Sequence, residues 1–233
     1  MAEDSAAGAR TFPAPKVFFN LSVKALLFAL PLFLFRESVH WLSGWVYWGM
    51  YAAWSFINAL LLYRQDPALL LNRLMQAPEV KEPADKLFSL ASPVLFFIAL
   101  GVCAQRPCWP GGAAWFTLRL AAFAVIGLAY WLSSLALLSN SFALKAVLLQ
   151  PGQTPVSAGP YAVVRHPLYA ALAAFYLCTP AALGSTAGFI PAAAAALLVV
   201  ARTVFEDRFL HKGLPGYADY SARVRYRLFP GLW

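Results

Sequence analysis

Between residues 17 and 138 the chain holds four apolar runs, each long enough to cross a bilayer as a helix: approximately Val17 to Phe35, Trp41 to Tyr63, Leu87 to Ala104 and Ala113 to Leu138. A span takes about 20 predominantly apolar residues, because in lipid only a helix or a closed barrel satisfies its own backbone. The barrel would need period-two alternation of apolar and polar residues, which is absent. Only 12% of the 233 residues are charged, against roughly 25% in soluble domains, so an ordinary water-soluble fold is excluded. A hydrophobic content of 61% excludes disorder. The 14 Gly and 17 Pro show no collagen-like period. The expected fold is all-α: a polytopic membrane bundle of five or six transmembrane helices with short loops.

The region from Pro167 to Phe205 is too long for one span and carries Pro180, Gly184, Ser185 and Gly188 near its middle. It reads as a helical hairpin that supplies the last two spans, followed by a cytoplasmic helical segment. The opening residues, 1–16, include Glu3 and Asp4 and read as a loose cytoplasmic tail. Residues 17–138 form the four-helix transmembrane region. The first apolar run is of spanning length with no small-residue cleavage site after it, so it is expected to be retained rather than removed as a signal peptide.

Six spans put both termini on one side. The loops of that side carry Arg10, Lys16, Arg64, Arg73, Lys81, Lys86, Lys145, Arg165, Arg208, Lys212, Arg223, Arg225 and Arg227; the other side holds Arg36 and Arg106, with Arg119 near that end of its helix. The positive-inside rule makes the basic side cytoplasmic. The net charge of +8 is then an orientation signal and an attraction to anionic lipid, not a nucleic-acid footprint, and no nucleic-acid-binding module is present. An inner bacterial membrane is the expected location. Trp and Tyr near span ends, such as Trp41, Trp45 and Trp109, read as headgroup-level anchors. Three cysteines and three histidines without ligand spacing predict no metal site. Whether Cys103 and Cys108 are bonded stays open, as does the oligomeric state.

Polar residues concentrate in the last hundred positions. The segment from Ser139 to Pro167, SNSFALKAVLLQPGQTPVSAGPYAVVRHP, mixes Gly, Pro and polar residues with short apolar runs, and its polar groups must reach water or one another. The hairpin returns the chain to the same face at Arg202, Glu206, Asp207 and Arg208. Arg202 and Glu206 are four apart on one helix face, where they are expected to pair. Lys24 and Arg119, with no evident partner, read as residues that reach toward opposite interfaces. The basic tail that includes Arg227 reads mainly as lipid contact.

Taken together, GPYAVVRHPLYAA at Gly159 to Ala171, RTVFEDRFL at Arg202 to Leu210 and the closing GYADYSARVRYRLFPGLW resemble the isoprenylcysteine carboxyl methyltransferase family and the related phospholipid methyltransferases. The resemblance runs from about Asn140 to the C-terminus. It implies an integral membrane methyltransferase that uses S-adenosylmethionine without a Rossmann fold, and it makes 139–233 the cofactor-binding region. Carried over residue by residue, His166, Pro167 and Tyr169 of the RHPxY box and Glu206 of the acidic pair would line the cofactor pocket. Gly159 and Tyr161 would shape its lid, while Gln153 and Asp207 would complete the set. Arg165, Arg202 and Glu206 are the residues expected at the reacting centre. The chemistry suits the cofactor: a carboxylate for its ammonium or ribose hydroxyls, Arg165 and His166 as donors to its carboxylate, and tyrosine faces for its cations.

The chain departs from the family pattern at three places. Gln153 stands where many members have His, Ala171 where Gly often follows the box, and Asp207 where the acidic pair has a second Glu. The expected acceptor is a lipophilic molecule reached from the bilayer, an isoprenylcysteine-like carboxylate or a lipid headgroup. Two other readings are weighed against this one. A sterol-reductase-like enzyme would use NADPH, with Arg208, Lys212, Arg223, Arg225 and Arg227 on its phosphates. A transporter or non-catalytic scaffold is the other, and the absence of internal repeats speaks against transport.

Overall fold

A computed structural model of the chain describes residues 12–34, 40–75, 83–105, 109 and 111–233. The expected basic residues Arg10, Lys81, Arg36 and Arg106, and Cys108 of the open cysteine pair, lie outside the described residues. The described residues form helices and connections with no strand: α1 (Ala14–Phe33), α2 (Leu42–Gln65), α3 (Pro67–Leu74), α4 (Pro83–Gln105), α5 (Ala113–Ser139), α6 (Pro167–Leu183), α7 (Phe189–Gly213) and α8 (Tyr217–Arg223), with a 3-10 turn at Gly159–Ala162. The polytopic helical membrane protein expected from the apolar runs is the fold observed.

Among the described residues four helices are long and apolar enough to cross a membrane, the segments Ala14–Phe33, Asp85–Gln105, Ala113–Ser139 and Phe189–Gly213. α6 is apolar but only 17 residues long, at the short end of spanning length. α2 has 24 residues but is diluted by Ser43, Gly44, Ser55, Asn58 and several tyrosines and tryptophans, so it has the length expected of a span without the apolar content of those four helices. It also ends differently from the expected run. Asp66 breaks the helix and caps the next, its carboxylate accepting from the Leu69 amide at 2.9 Å, while Pro67 starts α3 where a missing N–H costs nothing. The short helix α3 buries Leu69 and Leu70 against Val17 and Leu21 of α1 and Leu62 of α2.

α6 and α7 form the expected hairpin. Gly184 ends α6 in a left-handed conformation, φ +76°, and the Ser185 amide closes back onto the Pro180 carbonyl at 2.9 Å, so the freed carbonyls find donors. A side chain at Gly184 would also strike Arg119, whose guanidinium lies over the turn. Alanines line the helix contacts of the hairpin, Ala170, Ala171 and Ala173 on α6 and Ala192, Ala195 and Ala196 on α7, all buried. Small residues let the backbones approach, which is how helices pack where lipid is as apolar as the partner. Hydroxyls add bonds between helices, Tyr47 with Thr179 at 2.6 Å and Trp54 Nε1 to Ser134 Oγ at 3.1 Å. Around the bundle, Phe18, Phe19, Leu128, Trp131, Ile190 and Leu197 are exposed, as a lipid-facing surface requires.

α7 runs to Gly213, well past the Phe205 expected as its end, so Arg202, Glu206 and Asp207 stand on one continuous helix. This places them at the same end of the bundle as the C-terminus of α5, the N-terminus of α6 and the start of α4.

Candidate functional site

The connection from Asn140 to His166 is irregular, with turns and the 3-10 turn at Gly159–Ala162, and charged side chains from three helices hold its first part. Arg73 of α3 donates from Nη1 to the Ala143 carbonyl at 2.5 Å. Arg202 of α7 donates from Nη2 to the Lys145 carbonyl at 2.7 Å. Asp85 of α4 accepts from the Val147 amide at 2.8 Å. Asp85 and Arg202 also form an ion pair, their side chains 1% and 3% exposed. Two buried charges are tolerated where each is paired and hydrogen-bonded.

Arg202 and Glu206 do not pair directly as expected. The Tyr169 hydroxyl stands between them: Arg202 Nε donates to it at 2.7 Å, and the hydroxyl donates to Glu206 Oε2. Arg202 is taken by Asp85, a partner that i to i+4 spacing could not show, and its guanidinium lies 4.4 Å from the Phe88 ring centroid. The correction changes the reading of Arg202, which becomes the post that fixes Tyr169 and the Lys145 segment.

His166 sits between the two acids of α7. Its Nε2 is 3.3 Å from Asp207 Oδ1 and its Nδ1 is 3.9 Å from Glu206 Oε1. Asp207 is buried and gathers Arg165 Nε at 3.2 Å, the Tyr217 hydroxyl at 2.9 Å and Arg227 Nε at 2.9 Å. The side chain of Arg227, read from the sequence as lipid contact, is therefore an ion-pair partner of Asp207. It also lies over the Trp233 ring, 5.0 Å from its centroid. The tail follows, with the Arg165 and His166 amides donating to the Tyr226 and Arg227 carbonyls at 2.9 Å each. Burial raises the phenols of Tyr217 and Tyr220 well above their ordinary range, with the Asp207 charge adding to the effect on Tyr217, so both stay protonated donors. Tyr220 spends its proton on the Tyr161 carbonyl at 2.8 Å.

A cavity of about 630 Å³ opens among these elements, within the roughly 300–1,000 Å³ of small-molecule sites. Its polar end is lined by Gln153, Tyr161, Arg165, His166, Tyr169, Arg202 and Glu206, all named from the sequence, together with Arg73, Asn140 and Lys145. Its inner end is lined by Tyr51, Trp54, Pro93, Tyr130 and Phe175, residues near the middle of their helices. Three named residues lie off the lining. Asp207 faces the Arg165, Tyr217 and Arg227 side, Pro167 is the buried first residue of α6, and Gly159, at φ +56°, packs its backbone on Ser139. The basic residues considered for nicotinamide-cofactor phosphates, Arg208, Lys212, Arg223, Arg225 and Arg227, do not line the cavity.

Within the cavity Glu206 is partly accessible, and among the described residues Oε1 makes no bond shorter than the 3.9 Å approach to His166. Gln153 uses its carbonyl oxygen on the Gln150 amide at 3.0 Å, which leaves its NH2 group as the free donor. Tyr161 is pushed up to about 12 by burial, with an opposing hydrogen bond from Asn140 and an added push from the Glu206 charge. Lys145 is lowered to about 8 by desolvation first and by the neighbouring cations Lys24 and Arg73 second. Sequence reasoning missed Asp85, Arg73, Asn140 and Lys145. In the sequence Arg73 and Lys145 read only as orientation charges, and a lone acid at the start of an apolar helix is the signal available for Asp85. Among the described residues no group of His, Cys, Asp and Glu is arranged to hold a metal ion.

No curated protein sequence matches the chain. Residues 117–215, from the first turns of α5 through the hairpin to the start of α8, match the model of the family described as phospholipid methyltransferase, and so carry the family resemblance read from the RHPxY box and the acidic pair.

Proposed function

We propose that the chain is an S-adenosylmethionine-dependent methyltransferase that acts on a lipophilic acceptor at the cytoplasmic face of its membrane. The observation that carries this reading is the convergence of His166, Tyr169, Glu206, Tyr161 and Gln153, from three separate stretches of sequence, on one cavity whose inner half is apolar and reaches mid-span depth. The donor set fits the cofactor. Glu206 Oε1 is available to the ammonium or the ribose hydroxyls. The Gln153 NH2 and the Nη groups of Arg165 are available to the carboxylate. Tyr161 and Tyr169, kept uncharged, offer ring faces to a cation. When bound, the cofactor supplies a methyl group already activated on a positive sulfonium.

The residues of the chain then have three tasks. The first is alignment: Tyr169 is fixed by Arg202 and in turn fixes Glu206, so the wall of the site is set before any ligand arrives. The second is exclusion of water by the aromatic inner end. The third concerns the proton. A carboxylate acceptor needs none removed near neutral pH, whereas an amine or thiol does. Asp207 accepts from His166 Nε2 and thereby leaves Nδ1 toward the cavity, where it is the base in reach. The excess of basic residues at this end of the bundle supports its cytoplasmic placement.

Calorimetric titration of the detergent-purified chain with S-adenosylmethionine, S-adenosylhomocysteine and NADPH tests the proposal. Saturable binding of the adenosyl ligands that is lost in Glu206→Ala is expected. Binding of NADPH alone, or of neither in folded protein, would sink it.

A further inference from the structure

The charges that line the cavity are unevenly matched. Arg202 is paired with Asp85 and Arg165 with Asp207. Glu206 faces His166 and Tyr169. Arg73 and Lys145 remain. Among the described residues neither has a carboxylate within ion-pair distance; Arg73 has one hydrogen bond, from Nη1 to the Ala143 carbonyl, and the Lys145 ammonium has none. Lys24 of α1 adds a third cation near them, close enough to push down the Lys145 ammonium together with Arg73. Like charges crowded beside a desolvating wall cost free energy unless an anion joins them.

We propose that Arg73 and Lys145 form an anion subsite that holds the phosphate or carboxylate oxyanion of an amphiphilic acceptor, with the acceptor's chain in the apolar inner end of the cavity. The inference rests on the methyltransferase reading and adds the charge class of the acceptor and the residues that read it. Position favours the acceptor over the cofactor. Arg73 stands in the last turn of α3, the short helix that follows the end of α2, where a basic side chain at the end of a span can meet an anionic lipid group. The same cavity is lined by Tyr51, Trp54, Pro93 and Phe175, residues near the middle of their helices, an apolar end with room for a hydrocarbon chain. A fork of guanidinium donors beside an ammonium suits an oxyanion geometrically as well.

The test uses the full chain in a neutral maltoside detergent, titrated with decyl phosphate, decyltrimethylammonium and inorganic phosphate, and separately with S-adenosylhomocysteine. Decyl phosphate is expected to bind, and Arg73→Gln and Lys145→Gln are each expected to weaken it about tenfold, the loss of one charge-assisted contact. Affinity for S-adenosylhomocysteine should stay within about twofold. Because Arg73 also supports the Ala143 carbonyl, Lys145→Gln is the variant that separates binding from folding, and thermal unfolding of both is followed in parallel. Equal decyl phosphate affinity in wild type and Lys145→Gln would overturn the subsite. Equal affinity for decyl phosphate, decyltrimethylammonium and the detergent background would do the same. Inorganic phosphate binding as tightly as decyl phosphate would overturn the lipid assignment. Loss of S-adenosylhomocysteine affinity with decyl phosphate unchanged would give the cations to the cofactor carboxylate instead. Failure of S-adenosylhomocysteine to bind the wild type, with decyl phosphate still bound and sensitive to Lys145→Gln, would count against the methyltransferase reading and leave the anion subsite standing.

Discussion

Asp85 and Arg202, 117 positions apart in sequence, form the buried ion pair on which the wall of the cavity hangs. The carboxylate also holds the Val147 amide, and the guanidinium also holds the Lys145 carbonyl and the Tyr169 hydroxyl. One pair therefore ties α4, α7, α6 and the connection from Asn140 to His166 together.

Removing half of that pair should be costly, because the remaining charge stays buried without its partner. Asp85→Ala is expected to lose about 3–5 kcal/mol, read as a fall in the thermal midpoint of the detergent-purified chain. Asp85→Leu combined with Arg202→Met should recover part of the midpoint, since the buried charges go together. It should not recover ligand affinity, because Tyr169 loses its post in the double variant as well. A single-variant midpoint equal to wild type would show that the pair holds nothing.

Tyr169→Phe isolates the link between Arg202 and Glu206. The ring and its stacking on His166, 5.8 Å between centroids, survive the change, while Arg202 Nε and Glu206 Oε2 lose a partner each. The cost is about 1–3 kcal/mol for polar groups left unmatched. Glu206 can then turn away from the cavity, so affinity for S-adenosylhomocysteine should fall about tenfold with little change in the helical circular dichroism. Wild-type affinity in Tyr169→Phe would mean that Glu206 needs no such support.

What was legible in the sequence, and what was not, follows from how far each signal reaches. The spans could be found because each is a local run, and the hairpin because Gly184 and Gly188 interrupt one. His166, Tyr169 and Glu206 could be named because the RHPxY box and the acidic pair are short strings of residues. Asp85 could not, since its partner lies three helices later and no spacing connects them. The Asp66-Pro67 pair signals a helix break at the end of an apolar run, but no local pattern shows that Arg73, on the short helix after it, reaches the Ala143 carbonyl 70 positions away. Arg227 misled for the opposite reason: a basic tail at an interface resembles a lipid contact until Asp207 is seen beneath it.

Asp207 and Arg227 act on the site through the tail. Asp207→Asn leaves Arg165 short of a counter-charge and no longer dictates which nitrogen of His166 carries the proton. If the acceptor requires deprotonation, the pH profile of methyl transfer should shift or flatten in this variant. Binding of S-adenosylhomocysteine should fall less than in Glu206→Ala. Arg227→Ala, whose side chain is one-third exposed, should cost little global stability, but it frees the stretch that pairs with Arg165 and His166. Hydrogen exchange of residues 224–233 should rise by an order of magnitude or more, corresponding to about 1.4 kcal/mol of local opening. Unchanged exchange there would restore the view of Arg227 as a lipid contact alone.

Two groups near the cavity give stability opposite slopes with alkaline pH. Lys145 titrates at about 8 in the folded chain against 10.5 for a free lysine. Between those values the unfolded chain binds more protons than the folded one, so stability should rise with pH. Tyr161 titrates at about 12 against 10.0 for a free tyrosine. Between pH 10 and 12 the unfolded chain is the one that has lost the proton, and stability should fall. Thermal midpoints from pH 7.5 to 11.5 should therefore climb and then decline. Lys145→Gln should flatten the climb and spare the decline, while Tyr161→Phe should spare the climb and lessen the decline, to which the raised phenols of Tyr217 and Tyr220 also contribute. A climb that persists in Lys145→Gln would assign it to another group and would remove the crowding of Lys145 by Lys24 and Arg73 as its cause.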